Sequence, residues 1–165
     1  MQKPARSFIK ASDVASWVSC KRRAWLDKQS GASTAIDPFT QLLTQAGLQH
    51  EVAVLSKLEN QFPVHKAVSI EHTGLLMQQK VPLIYQAQLF NERIGLIGYP
   101  DFLILHPNGE YQPADAKLAT SESKKTIQIQ LGVYRKLLAT SLPALVFLGD
   151  GRRRCHPPRV RVPLG

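Results

Sequence analysis

Residues 98–134, GYPDFLILHPNGEYQPADAKLATSESKKTIQIQLGVY, constrain this chain more than any other stretch. Two apolar, strand-like runs meet at a turn signal, Pro107-Asn108-Gly109, and each carries an acid in its interior, Asp101 in one and Asp115 in the other. Residues i and i+2 of a strand share a face, so Asp115 and Lys117 point the same way. An isolated carboxylate in an apolar strand must be paired, metal-bound or neutralised. Two acids and a lysine in adjoining strands therefore call for a reason, and a metal-centred site is the strongest one. Converging carboxylates suit a hard divalent cation such as Mg2+ or Mn2+, which prefers oxygen ligands and keeps waters for substrate. Gly98 and Pro100 beside Asp101 fit a bulge that re-aims a side chain. Alone, an acid followed by D-x-K is a weak signal, and an exposed strand-face pair explains Asp115 and Lys117 as readily. The helical run that follows adds Gln130 and Tyr134, four apart on one face, suited to hydrogen-bonding a phosphate or a strand end, or to ordinary packing with a polar rim.

The rest of the composition fits such a site. At 165 residues the chain is long enough for one domain with a real core, and 44% hydrophobic with 20% charged residues is a globular balance. Lys and Arg number 21 against 12 Asp and Glu, a formal charge of +9 that favours a polyanionic partner, nucleic acid ahead of an anionic membrane. No apolar run reaches the ~18–20 residues of a membrane span, and the N-terminus lacks the apolar segment of a secretory signal. With two cysteines, Cys20 and Cys155, a disulfide framework is not indicated, and a soluble cytoplasmic protein is expected.

In order, residues 12–29 read as one helix capped by Ser12 or Asp13, with Val14, Trp17, Val18 and Trp25 as its apolar face and Lys21, Arg22 and Arg23 as a basic cluster. Asp37-Pro38 opens a second helix to about Gln61, whose stripe holds Leu43, Gly47, His50, Val54 and Leu58. Residues 64–71 read as a strand, and the segment from His72 to Lys80 as a short helix. Residues 83–91 and 94–105 read as a hairpin about Glu92-Arg93, followed by a strand over 111–119. Residues 124–140 form a helix with Ile127, Leu131, Tyr134 and Leu138 inward, and 144–148 a buried strand. Residues 152–165 hold five arginines and three prolines, the pattern of an exposed basic tail or the start of a further segment. The expected fold class is α/β with a mixed central sheet flanked by helices, over residues 1–150.

Pro100-Asp101, Asp115-Ala116-Lys117 and Gln130-Leu131-Gly132-Val133-Tyr134 together resemble the PD-(D/E)XK nuclease superfamily, in particular its RecB-like branch. There an acid-x-Lys strand is followed by a helix bearing Q-x-x-x-Y, and a histidine sits in an upstream helix. Gly47-Leu48-Gln49-His50-Glu51 resembles that upstream element, and the segment from Ser12 to Asp27 resembles the branch's opening. The resemblance spans roughly residues 12–150, and its five motifs fall in the expected order. It implies a restriction-endonuclease-like αβββαβ core and a nuclease acting as an exonuclease or a flap or single-strand endonuclease. It implies His50, Asp101, Asp115 and the Ala116 carbonyl as ligands to Mg2+ or Mn2+, Lys117 as catalytic lysine, and Gln130 and Tyr134 in support. It also implies Glu51 as a candidate supplementary acid. Relatives of this kind often carry a four-cysteine iron–sulfur cluster; with Cys20 and Cys155 alone, none is expected. Many continue into a helicase or further nuclease domain, so a standalone enzyme, a fragment, or a subunit of a larger nuclease complex all fit.

The basic clusters at Lys21, Arg22 and Arg23, at Lys124-Lys125 and at Arg135-Lys136 are candidate DNA contacts, the last two favoured because they share a helix with Gln130. A non-cleaving nucleic-acid-binding module in a repair or defence complex is the alternative function. A structural protein whose acids are ion-paired within the sheet is a third.

Overall fold

The computed structural model describes residues 8–29, 37–119, 124–149 and 153–156, the last of these by backbone alone. It is a mixed α/β fold: two mixed sheets flanked by helices. A six-stranded sheet runs in the order β2 (Val64–Lys66), β3 (Leu83–Tyr85), β6 (Phe102–Leu105), β7 (Tyr111–Lys117), β8 (Ala144–Leu148), β9 (Arg153–His156). Pairs β2/β3 and β7/β8 are parallel, and the other neighbours are antiparallel. A smaller sheet joins β1 (Ile9–Lys10), β5 (Leu96–Gly98) and β4 (Leu89–Asn91).

Strand alternation sorts the core between the two faces of the large sheet. Leu83, Phe102, Ala114 and Leu145 meet Val54 and Leu58 of helix α3 (Pro38–Glu59) on one face. Ile84, Leu103 and Tyr111 meet Leu76 of α4 (Ile70–Gln78) on the other. There too, Val146 and Leu148 pack under Ile127, Leu131 and Tyr134 of α5 (Lys125–Leu138), with Ala11 of α1 (Ala11–Ser19) in the same cluster. Helix α5 is the crossover that a parallel β7/β8 pair requires.

Several boundaries differ from the sequence reading, each for a local reason. The first helix is two, α1 and α2 (Lys21–Gln29), because Cys20 is extended, at φ −158°. The first residues expected to cap it lie inside it: Lys10 precedes the helix and its N–H donates to Asp13 Oδ2 at 3.1 Å. Trp17, Val18 and Trp25, expected inward, are 50%, 41% and 56% exposed. Helix α3 starts as expected, with Asp37 Oδ1 accepting from the N–H groups of Phe39 and Thr40, but its stripe is buried only from Val54 onward and Leu43 is exposed.

The expected hairpin over 83–105 is folded across both sheets. Gln86 takes a left-handed turn at φ 53° after β3, and the return arm breaks between β5 and β6, so β3 pairs with β6 and β4 with β5. Asp101 therefore lies in the bend between two strands rather than inside one. Arg153–His156, expected within a basic tail, pairs with β8 as the sheet's edge; the rest of 151–165 lies outside the described residues. Among those described, no helix is long and apolar enough to cross a membrane.

Candidate active site

The β6–β7 ladder pairs Phe102 with Ala114, and the same register sets Asp101 opposite Asp115. One step further Pro100, which has no N–H, would face Ala116, so the ladder cannot continue. The two acids close it instead. The Asp101 N–H donates to Asp115 Oδ1 at 3.1 Å, and the Ala116 N–H donates to Asp101 Oδ2 at 2.7 Å. Asp115 is fully buried, and its Oδ2 has no hydrogen-bond partner among the described residues beyond a 2.9 Å ion pair with Lys117 Nζ. Lys117, its side chain 30% exposed, carries that pair to the surface.

Burial sets the electrostatics. It raises the Asp115 carboxyl above the ordinary range against the pull of Lys117. Burial and then the charge of Asp115 push Asp101 up to about 8. Burial disfavours the Lys117 ammonium, but Asp115 and Asp101 outweigh it and hold its pKa above the usual lysine value. The metal-free pair of acids thus retains a proton near neutrality.

The bend carrying Asp101 is held from beneath by α5. The Tyr134 hydroxyl donates to the Tyr99 carbonyl at 3.1 Å and accepts from Gln130 Nε2 at 2.6 Å. Burial, then the nearby Asp115 charge, raises the Tyr134 phenol well above its ordinary value, so it stays a neutral donor. Gly98 makes the approach possible: a Cβ there would sit 2.7 Å from Leu137 Cδ1 and 2.9 Å from Tyr134 Cδ1.

Above the acids lies an open cleft of about 660 Å3, between the middle of α3 and the N-terminal turn of α5. Glu51, Asp101, Ala116, Lys117, Lys124 and Gln130 line it. The α3 residue facing the acids is Glu51, whose charge acts on Asp101, Asp115 and Lys117. Gln86 Nε2 donates to Glu51 Oε1 at 3.4 Å and to the Tyr85 hydroxyl at 3.1 Å. Burial and the neighbouring Glu51 push the Tyr85 phenol up to about 12.

His50 points elsewhere. Its Nε2 lies 3.0 Å from the Phe147 carbonyl of β8, which can only accept, so that nitrogen carries the proton and is committed to the sheet. Among the described residues no group of three or more His, Cys, Asp or Glu side chains gathers to hold a metal. The donor set is the Asp101 carboxylate and the Ala116 backbone, which line the cleft, and the fully buried Asp115 carboxylate beside them, whose Oδ2 is short of a hydrogen-bond donor. A hard oxygen-seeking cation that keeps several waters fits that set; a closed all-protein cage does not.

Sequence reasoning brought together Asp101, Asp115, Lys117, Gln130 and Tyr134, and the structure gathers all five at one end of the sheet. The other candidates scatter. Lys124 lines the cleft and Lys125 begins α5 beside it. Arg135 and Lys136 lie ~15 Å further along that helix, and Arg135 is spent on the Leu142 and Ser141 carbonyls, at 2.7 and 3.3 Å. Lys21, Arg22 and Arg23 are exposed on α2. Tyr85, Gln86 and the Tyr99 carbonyl were missed; only the left-handed backbone at Gln86 joins the first two to Glu51, and no residue type announces it.

No family model matches this chain, and no curated protein matches it.

Proposed function

We propose that this protein is a metal-dependent nuclease that hydrolyses phosphodiester bonds of DNA, on a restriction-endonuclease-like αβββαβ core. One observation carries the reading: at the end of a ladder the Asp101 N–H donates to the Asp115 carboxylate and the Ala116 N–H to the Asp101 carboxylate, beside Lys117, with Asp101, Ala116 and Lys117 lining an open cleft. A structural ion pair needs one acid; a second acid opposite, raised in pKa by burial and then by the first, is costly unless something else uses it.

The two carboxylates and the Ala116 carbonyl would hold Mg2+ or Mn2+. Such an ion, when bound, lowers the pKa of a water and polarises a phosphoryl oxygen. The chain's residues supply the rest. Lys117, its ammonium 2.9 Å from Asp115 Oδ2 and lining the cleft, would present positive charge to an attacking water and to the charge growing on the phosphate. Tyr134 and Gln130 fix the Tyr99 carbonyl, and with it the bend that aims Asp101. Lys124 and the N-terminal turn of α5 offer positive charge and backbone N–H groups to a phosphate in the cleft.

A second reading has its own observation. Lys117 already neutralises Asp115 at 2.9 Å, and His50 is turned to Phe147, the arrangement of a closed site that binds nucleic acid without cutting it. Labelled single- and double-stranded DNA incubated with Mg2+ or Mn2+ separates the two. Cleavage by the wild type, lost in Asp115→Ala and Lys117→Ala, supports the nuclease. Cleavage that persists in both variants defeats the assignment, and salt-sensitive binding without cleavage or metal uptake supports the module.

A further inference from the structure

We propose that the groove between α1 and α2 is a base-stacking subsite for single-stranded DNA. It deepens the nucleic-acid reading above, on which it rests, by specifying the strandedness of the substrate. Because Cys20 breaks the helix, Trp17 and Trp25, eight residues apart in sequence, line one cavity of about 460 Å3 together with Ile9, Val14, Ala24 and Lys28. The rings are 50% and 56% exposed. Two half-bare indoles in one concave surface are a recognition feature, since single exposed apolar residues are ordinary but grouped aromatics are not.

Charge selects the occupant. Residues 21–29 hold four basic side chains, Lys21, Arg22, Arg23 and Lys28, against one acid, Asp27. Lys21 Nζ stands 6.0 Å from the centroid of the Trp17 ring, and Lys28 lines the cavity itself. The acid in the lining, Asp13, is engaged by the Lys10 N–H. Aromatic faces bordered by lysine and arginine suit a strand whose bases are unstacked and whose phosphates follow the basic rim. A duplex keeps its bases stacked inside and offers the indoles nothing. An anionic membrane would need a helix with one segregated apolar face, and α2 mixes its apolar and basic residues around the helix. Helix α1 in turn shares a core cluster with Ile127, Leu131 and Tyr134 of α5, the helix that borders the cleft, so the groove and the cleft are built on packed neighbouring helices.

Trp17 and Trp25 are the two tryptophans of the chain, so intrinsic indole fluorescence reports on this groove alone. The 165-residue chain in EDTA and low salt is titrated with oligothymidylate and with a duplex of equal length. Saturable, salt-sensitive quenching by the single strand, with little by the duplex, is the expected result. Anisotropy of a labelled oligothymidylate should show roughly 5–150-fold weaker binding for each of Trp17→Ala and Trp25→Ala, and near-wild-type binding for the Phe variants. Circular dichroism checks that the Ala variants fold, and the wild-type quenching stands without them. Any of four results overturns the proposal: no quenching, equal quenching by duplex, an emission shift on anionic vesicles with no effect of oligonucleotide, or a shift that follows protein concentration and so marks contact between copies. Quenching without Mg2+-dependent cleavage would sink the nuclease and spare the subsite; cleavage with unchanged fluorescence would do the reverse.

Discussion

Replacing Asp101 with asparagine should remove a pH-dependent loss of stability that the metal-free protein carries. The Asp101 carboxyl is pushed up to about 8, by burial first and then by the charge of Asp115, against roughly 3.9 in an unfolded chain. Above about pH 4, the unfolded chain therefore releases a proton that the folded site keeps. The folded state then binds more protons than the unfolded one, so stability falls as pH rises and levels off only near the folded value. Each unit in that window costs about 1.4 kcal/mol for one fully linked group, so the step from about pH 5 to about pH 8 costs at most ~4 kcal/mol. Asp101 and Asp115 share the proton and Lys117 opposes its retention, which makes ~2 kcal/mol the working figure. In a chain of this size that is about 4–8 °C in Tm. Asparagine keeps an oxygen for the Ala116 N–H, now 2.7 Å from Asp101 Oδ2, and cannot ionise. Calorimetric melts of both proteins in EDTA across this range should show the wild type losing about 4–8 °C more than Asp101→Asn, while other titrating groups cancel in the comparison. Mg2+ at the alkaline end should raise the wild-type Tm and leave the variant's unchanged. Parallel Tm–pH curves would refute the reasoning, because no proton would then be held at the pair.

Gly98→Ala should destabilise by about 1–3 kcal/mol in chemical denaturation, since the new Cβ meets Tyr134 at 2.9 Å and that ring is buried with no room to retreat. Tyr134→Phe should cost about 1 kcal/mol by freeing the Tyr99 carbonyl and Gln130, and a loss of kcat beyond that stability cost would show that the bend needs the hydroxyl. Charge replacement at Lys124 and Lys125 should lower the slope of log K against log salt by about 1–2 units, whereas Lys136→Ala at the far end of α5 should leave it unchanged; equal slopes would move the DNA path off the cleft. Asp37→Ala should cost about 0.5–2 kcal/mol, read as a lower Tm, by stripping the cap from the N–H groups of Phe39 and Thr40.

Much of the site was legible because its parts obey short-range rules. The period of a strand put Asp115 and Lys117 on one face, and the turn at Pro107-Asn108-Gly109, with Gly109 at φ 85°, set the register that brings Asp101 across from Asp115. Helical spacing put Gln130 beside Tyr134. What the sequence hid were the places where the backbone departs from its own propensities. Cys20 stops a helix with no proline or glycine to announce it, which turns an expected apolar face into an exposed groove. Gln86 is left-handed without being glycine, which splits an expected hairpin between two sheets and brings Tyr85 to Glu51. His50 followed its stripe correctly, but the Phe147 carbonyl it meets belongs to a strand 97 residues away. Spacing within one helix carries no information about such a partner.

The same logic explains how an apolar run can hold Asp101 at all. Residues 98–101 are the passage from one sheet to the other, and each does a different job. Gly98 ends β5 and lets Leu137 and Tyr134 close against bare backbone. The Tyr99 carbonyl has no strand partner across this bend and takes the Tyr134 hydroxyl instead. Pro100, buried, has no N–H to leave unsatisfied, so the ladder can stop beneath it without an orphaned donor. Asp101 then spends one carboxylate oxygen on the N–H of Ala116 and its own N–H on Asp115, which repairs the ladder with side chains. An Asn pair would offer the same accepting oxygens without the cost of burying a carboxylate, which is what raises both carboxyls first of all. Structure alone therefore accounts for polar residues at 101 and 115, and for one acid paired with Lys117, but not for a second acid at 101, which lines the cleft.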